Sequence, residues 1–186
     1  MNCLCLLPYR FNVEALRRTV DTPIGWNAHR ARTAPVDSPH HFIDDIWVRA
    51  LPPHLVGRVG VDEPYEYEWY AHAATPAVQQ LTQQLLAQLP GVLGLGGILI
   101  TRVPSGRTVR VHDDHGYNAH NFGKYAIQVK GDRWQGFCFK DEEIKPESGQ
   151  SFWFYNQAPH WVYNCSYQDR ITLIISVMTE RGTQVP

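Results

Sequence analysis

The stretch Gly149–Met178, GQSFWFYNQAPHWVYNCSYQDRITLIISVM, holds three apolar runs of strand length. Ser151–Tyr155, Trp161–Asn164 and Ile171–Met178 are rich in aromatic and β-branched residues, and Asn156-Gln157-Ala158-Pro159 is a turn signal between the first two. The same rhythm extends upstream to Gly97. Ile98–Val103, Thr108–His112, Lys124–Lys130, Gly136–Phe139 and Glu143–Lys145 read as strands, punctuated by Pro104-Ser105-Gly106, Gly131-Asp132 and Pro146-Glu147-Ser148-Gly149. Eight short strands with a turn every few residues predict a mainly β (α+β) chain built on a double-sheet jelly roll.

The first half is mixed. The start, Met1–Pro8, is apolar but has no basic flank and alternates Cys with Leu, so it reads as an edge strand with Cys3 and Cys5 on one side. Val13, Leu16 and Val20 have helical spacing. Pro23 and Gly25 open an irregular stretch through Pro39, and His41–Leu51 reads as a strand. Thr75–Leu89 is the clearest helix, with Thr75 as N-cap, Pro76 at the first helical position and one stripe of Val78, Leu81, Leu85, Leu86 and Leu89. The expected organisation is a single domain over 1–186. Its β core spans 97–180, and 1–96 supplies flanking helices, a strand and a loop region that can close over a site.

With 186 residues, 44% of them hydrophobic, the chain can build one sizeable core. The net charge of −1 is dispersed, with no Lys/Arg cluster and no basic amphipathic helix, which argues against nucleic acid or a membrane surface as partner. No apolar run approaches the ~20 residues that span a bilayer. The four cysteines form no Cys-x-x-Cys and read as small buried thiols in a reducing compartment, so the expected location is cytoplasmic.

Five residues stand out for chemistry. His112 and Asp114 are two apart on a strand end and so share a face, while Asp113 points away. His160 follows 48 residues later and leads the seventh strand; Arg170 leads the eighth. Two imidazoles and a carboxylate are the ligand set of a facial triad on Fe(II), and the planar fork of an arginine suits the far carboxylate of a dicarboxylic co-substrate. Lys124, opening the third strand, can point into the same cavity. Each has an ordinary reading as well: a polar turn at His112-Asp113-Asp114-His115, a His160 packed between Trp153 and Trp161, an Arg170–Asp169 surface pair, a strand-end Lys124.

From Gly97 to Val177 the chain resembles the Fe(II)/2-oxoglutarate-dependent oxygenases. It is most similar to their aspartyl/asparaginyl β-hydroxylase-like branch. Val111-His112-Asp113-Asp114, Gly149–Asn156 and His160–Ile174 carry the likeness, above all Asn164 four residues after His160 and Asp169-Arg170 before an aliphatic strand. The resemblance implies a cupin-like double-stranded β-helix, Fe(II) on His112, Asp114 and His160, and 2-oxoglutarate on Arg170. Branch members often have arginine where Lys124 stands, and its implied role is also in holding the co-substrate. The animal aspartyl hydroxylases lack the metal carboxylate that Asp114 provides here, so their peptide specificity does not transfer. The implied activity is O2-dependent hydroxylation of a C–H bond in a small polar substrate, an amino acid or peptide. Tyr117, His120, Tyr155, Trp153 and Trp161 are the expected pocket lining, with Arg30, Arg32 or Lys124 on a substrate carboxylate. The rival is a non-catalytic metal- or small-molecule-binding sensor on the same fold. The sequence leaves the oligomeric state open.

Overall fold

The computed structural model describes residues 2–22, 25–56 and 58–180. Met1, Pro23 and the last six residues of the expected domain, 181–186, lie outside the described residues.

The eight core strands divide equally between two facing sheets. β4 (Val92–Val103), β6 (Gly123–Lys130), β9 (Gln150–Phe154) and β11 (Arg170–Thr179) belong to the larger sheet. β5 (Thr108–His112), β7 (Gln135–Phe139), β8 (Glu143–Ile144) and β10 (His160–Asn164) form the smaller one, in the order β5-β10-β7-β8. Every pairing is antiparallel. This is the double-stranded β-helix, a jelly roll. β1 (Leu4–Arg10) adds to β9 as an edge strand, where Pro8 costs no ladder bond with a neighbour beyond it. β2 (Asp44–Ala50) and the two-residue β3 (Glu68–Trp69) complete a seven-stranded sheet in the order β1-β9-β6-β11-β4-β2-β3.

The larger sheet buries both faces. On one, α1 (Glu14–Val20) and α2 (Pro76–Leu86) set Leu16, Val20, Val78, Leu81 and Leu85 against Ile98, Ile100, Ile127, Trp153, Leu173 and Ile175. On the other, Phe152, Phe154 and Ala126 meet Val109, Phe137, Phe139 and Val162 of the smaller sheet. Thr75 caps α2, accepting from the Val78 amide as its position predicts.

Several expectations change. β4 begins at Val92, not near Gly97, because its glycines are packing residues rather than turn signals. A Cβ on Gly96 would stand 2.7 Å from Cδ1 of Phe122. A short helix, α3 (Tyr117–Asn121), fills a segment whose lack of an apolar stripe hid it. Of the cysteines only Cys138 is buried, and Cys165 is exposed in the β10–β11 turn. Cys3 packs on the inter-sheet cluster and Cys5 on the helix-facing one, because Cys3 precedes the strand and escapes its alternation. No helix among the described residues is long and apolar enough to cross a membrane.

Trp153 is fully buried under the two helices. Trp153→Ala is expected to cost about 3–5 kcal/mol of stability, read as a lowered urea midpoint at unchanged slope.

Candidate metal centre

The open end of the β-helix gathers the triad. β5 and β10 pair with His112 opposite His160, and Val109 opposite Val162. Three steps along β5 therefore match two along β10: β5 carries a bulge at Arg110-Val111. Strict alternation from the inward Val109 would turn His112 outward. The extra residue turns it in, and Val111 is left 63% exposed. Asp114, beyond the strand, is held by its own amide on the Asn156 carbonyl (2.8 Å) and accepts from Asn156 Nδ2 at 3.3 Å. One donor atom from each of His112, Asp114 and His160 lies within 4.8 Å of the others.

Both imidazoles are presented in the form a metal needs. His112 Nδ1 is 2.8 Å from the Arg110 carbonyl and His160 Nδ1 is 2.9 Å from the Ala158 carbonyl. A carbonyl only accepts, so each Nδ1 donates to it, and in the neutral ring that tautomer leaves the lone pair on Nε2. Burial, then the neighbouring His160, holds His112 below its ordinary pKa and so neutral. Burial alone would push Asp114 up, but Lys124, His160, His112 and Arg32 together hold its carboxyl below the usual range. His160 stacks on Phe137, with ring centroids 5.5 Å apart and planes 10° apart, rather than between tryptophans. Two imidazole nitrogens and one carboxylate on one side of a cavity fit a divalent first-row metal with open positions.

That cavity, about 250 Å³, runs between the sheets. At one end lies Arg170, only 2% exposed. Its Nη1 donates to Thr172 Oγ1 (2.7 Å), which in turn donates to Gln128 Oε1 (3.3 Å). Among the described residues, Nε and Nη2 are buried without a partner and no carboxylate pairs with the guanidinium. Burial pushes its pKa down to about 10, so it remains charged near neutrality. Asn164 explains why the arginine sits there. Its Nδ2 donates to the Val103 and Gln168 carbonyls and its Oδ1 accepts from Ser166, locking the turn that delivers Arg170 into β11.

Lys124 lines the same cavity, bonded to Asn118 Oδ1 and to Ser176 Oγ (2.8 Å). Burial first, opposed by Asp114, brings its pKa down to about 8. Its anchor Ser176 is four residues along β11 from Thr172, the anchor of Arg170, a separation of about 13 Å at strand rise. The two cations therefore serve different parts of the cavity.

The expected aromatic lining is displaced. Trp153 and Tyr155 face the helices, Trp161 alternates away from His160 and Val162, His120 is exposed on α3, and Tyr117 lies behind Tyr65. None of the five lines the cavity. Residues without a sequence signal do: Tyr65, Tyr67, Asn118 and His40. His40 packs edge-on to His112 at 4.5 Å and is kept neutral by burial, then by Arg32. Arg32 lines the cavity but spends its fork on the buried Asp45, at 2.8 and 3.0 Å; Arg30 is absent from the lining. The loop that carries Arg32 and His40 is pinned to β5 by Arg110, which donates to the Val36 and Ser38 carbonyls.

Known structures share this architecture. A 2OG-Fe(II) oxygenase family oxidoreductase from Burkholderia pseudomallei superposes with a TM-score of 0.60 at 13% identity, over 97% of this chain and 86% of that one. A prolyl hydroxylase from Trichoplax adhaerens, solved with a hypoxia inducible factor peptide fragment, gives 0.58 at 13%, again over 97% and 86%. The viral collagen prolyl hydroxylase of Paramecium Bursaria Chlorella virus-1, solved with 2OG, gives 0.55 at 11%, over 96% and 97%. At such identities the likeness establishes the fold. No protein-family profile matches the chain, and no curated protein matches it.

Replacing His112, Asp114 or His160 by Ala is expected to weaken Mn(II) binding at least ~10-fold by calorimetry. Asp113, turned outward beside His115 at 3.2 Å, should tolerate Ala with little change. Equal losses from Asp113→Ala and Asp114→Ala would refute this assignment.

Proposed function

We propose that this protein is an Fe(II)- and 2-oxoglutarate-dependent oxygenase that hydroxylates a C–H bond of a small polar substrate. The observation that carries the reading is the pairing of a His-Asp-His face with an unpaired, buried arginine in one cavity. A guanidinium left with two unused donor nitrogens away from water is costly unless an anion completes it. A sensor that merely bound metal would have no use for that charge.

His112, Asp114 and His160 would hold the iron through Nε2, a carboxylate oxygen and Nε2. Arg170 would take the distal carboxylate of 2-oxoglutarate on its unspent Nε and Nη2, with Thr172 and Gln128 steadying the fork. Bound together, iron and 2-oxoglutarate supply the oxidation, in which O2 gives one oxygen to succinate and one to the substrate as CO2 leaves. The protein's share is orientation and exclusion of water: Phe137, Phe152 and Phe154 line the cavity walls, and the pinned Arg32–His40 loop closes one side.

The finer reading is the aspartyl/asparaginyl β-hydroxylase-like branch, with an amino acid or peptide as substrate. The spacing His160–Asn164–Arg170 supports it, and the turn built by Asn164 gives that spacing a physical purpose. The prolyl hydroxylases among the structural neighbours act on related chemistry in the same fold, so proline-containing substrates stand beside aspartyl and asparaginyl ones in a screen.

Aerobic incubation with Fe(II), ascorbate and 2-oxoglutarate should form succinate slowly without added substrate, as read by NMR. Arg170→Ala should raise the 2-oxoglutarate dissociation constant by ~30-fold or more, since truncating one partner of a buried charge pair costs about 2–5 kcal/mol. No succinate from metal-loaded wild-type protein would favour the sensor.

A further inference from the structure

We propose that the Lys124 end of the cavity is a carboxylate subsite for the substrate, which is then a small monoanionic acid; this rests on the reading of the site as a 2-oxoglutarate oxygenase.

Lys124 is a buried ammonium, 7% exposed, and both its described hydrogen-bond partners, Asn118 and Ser176, are neutral. An ammonium has three donors, so one remains for a ligand. No carboxylate lies within ion-pairing distance of it among the described residues. Its surroundings hold it in place. Asn118 turns its Oδ1 to Lys124 and donates through Nδ2 to the Tyr67 hydroxyl at 2.6 Å. Tyr65 and Tyr67, with ring centroids 4.6 Å apart, wall this end of the cavity and offer an apolar face next to the charge.

Charge balance points the same way. Arg32 is neutralised by Asp45, which leaves Lys124 and Arg170 against Asp114 among the charges lining the cavity. A divalent metal and doubly charged 2-oxoglutarate cancel one another. The filled site therefore keeps one uncompensated positive charge, and burial in low dielectric favours a ligand that brings one negative charge. Because Arg170 and Lys124 hang from anchors about 13 Å apart along β11, one carboxylate cannot satisfy both. The small cavity, about 250 Å³ with the co-substrate still to be placed, suits a substrate of amino-acid size.

The test uses full-length protein loaded with Zn(II), which is redox-inert, and 2-oxoglutarate. Saturation-transfer NMR then reads the binding of three- to six-carbon monocarboxylic acids, N-acetyl amino acids included, against their primary amides. At least one acid should bind ~10-fold more tightly than its amide, and Lys124→Met should erase that preference while the calorimetric 2-oxoglutarate affinity stays within about 2-fold. Lys124→Arg should keep the preference. Should Lys124→Met fail to fold, Asn118→Asp, which sets a carboxylate on the lysine, should erase it instead. If Lys124→Met weakens 2-oxoglutarate binding, the lysine belongs to the co-substrate and the proposal is wrong; acids and amides binding alike, or no acid binding, also overturns it. Loss of 2-oxoglutarate binding by wild-type protein would instead overturn the function on which it rests.

Discussion

One extra residue in β5 governs the centre. The antiparallel ladder between β5 and β10 places His112 opposite His160, but a regular ladder would aim only one of them inward given Val109 and Val162 on the core side. The bulge at Arg110-Val111 shifts the phase by one, and both imidazoles then face the cavity. The same bulge frees the Arg110 carbonyl to accept from His112 Nδ1, so the distortion that aims the ring also selects its tautomer. Arg110 contributes a third time, through the side chain that pins the loop bearing His40 and Arg32. Metal ligation, protonation state and cavity closure thus share one local departure from regular strand geometry.

A second constraint is electrostatic. The cavity buries more positive than negative charge before any ligand enters. In a protein interior that is a destabilising arrangement, tolerated where ligands complete it. Arg170 is kept in this position by the Asn164-centred turn, and Lys124 by Asn118 and Ser176. Both cations sit in preorganised cradles, so binding an anion requires little rearrangement. The Arg32–Asp45 pair provides the contrast: where the chain needs a buried arginine for structure, it supplies the matching carboxylate.

Much of this was legible in the sequence, because it rests on period-two alternation and turn chemistry. The eight core strands, the α2 cap at Thr75 and the triad with Arg170 follow from local signals. The shared face of His112 and Asp114 follows too, although the bulge that aims them is invisible without the partner strand. The pocket lining was not legible. Trp153 stands among the expected lining residues, yet alternation puts it on the helix side, and which side faces the site is a tertiary fact. Tyr65, Tyr67 and Asn118 arrive from irregular segments or a five-residue helix with no periodic pattern to read. His40 likewise reaches His112 only because a long loop folds back on β5.

The account's central claim is that one cavity holds a metal on the His-Asp-His face and a dicarboxylate on Arg170. A crystal structure with Mn(II) and 2-oxoglutarate, the metal located by anomalous scattering, tests it directly. The predicted result is a single ion at about 2.0–2.2 Å from His112, Asp114 and His160, with the distal carboxylate on Arg170 Nε and Nη2. Metal bound elsewhere, or 2-oxoglutarate with its distal carboxylate on Lys124 and Arg170 unfilled, would contradict it.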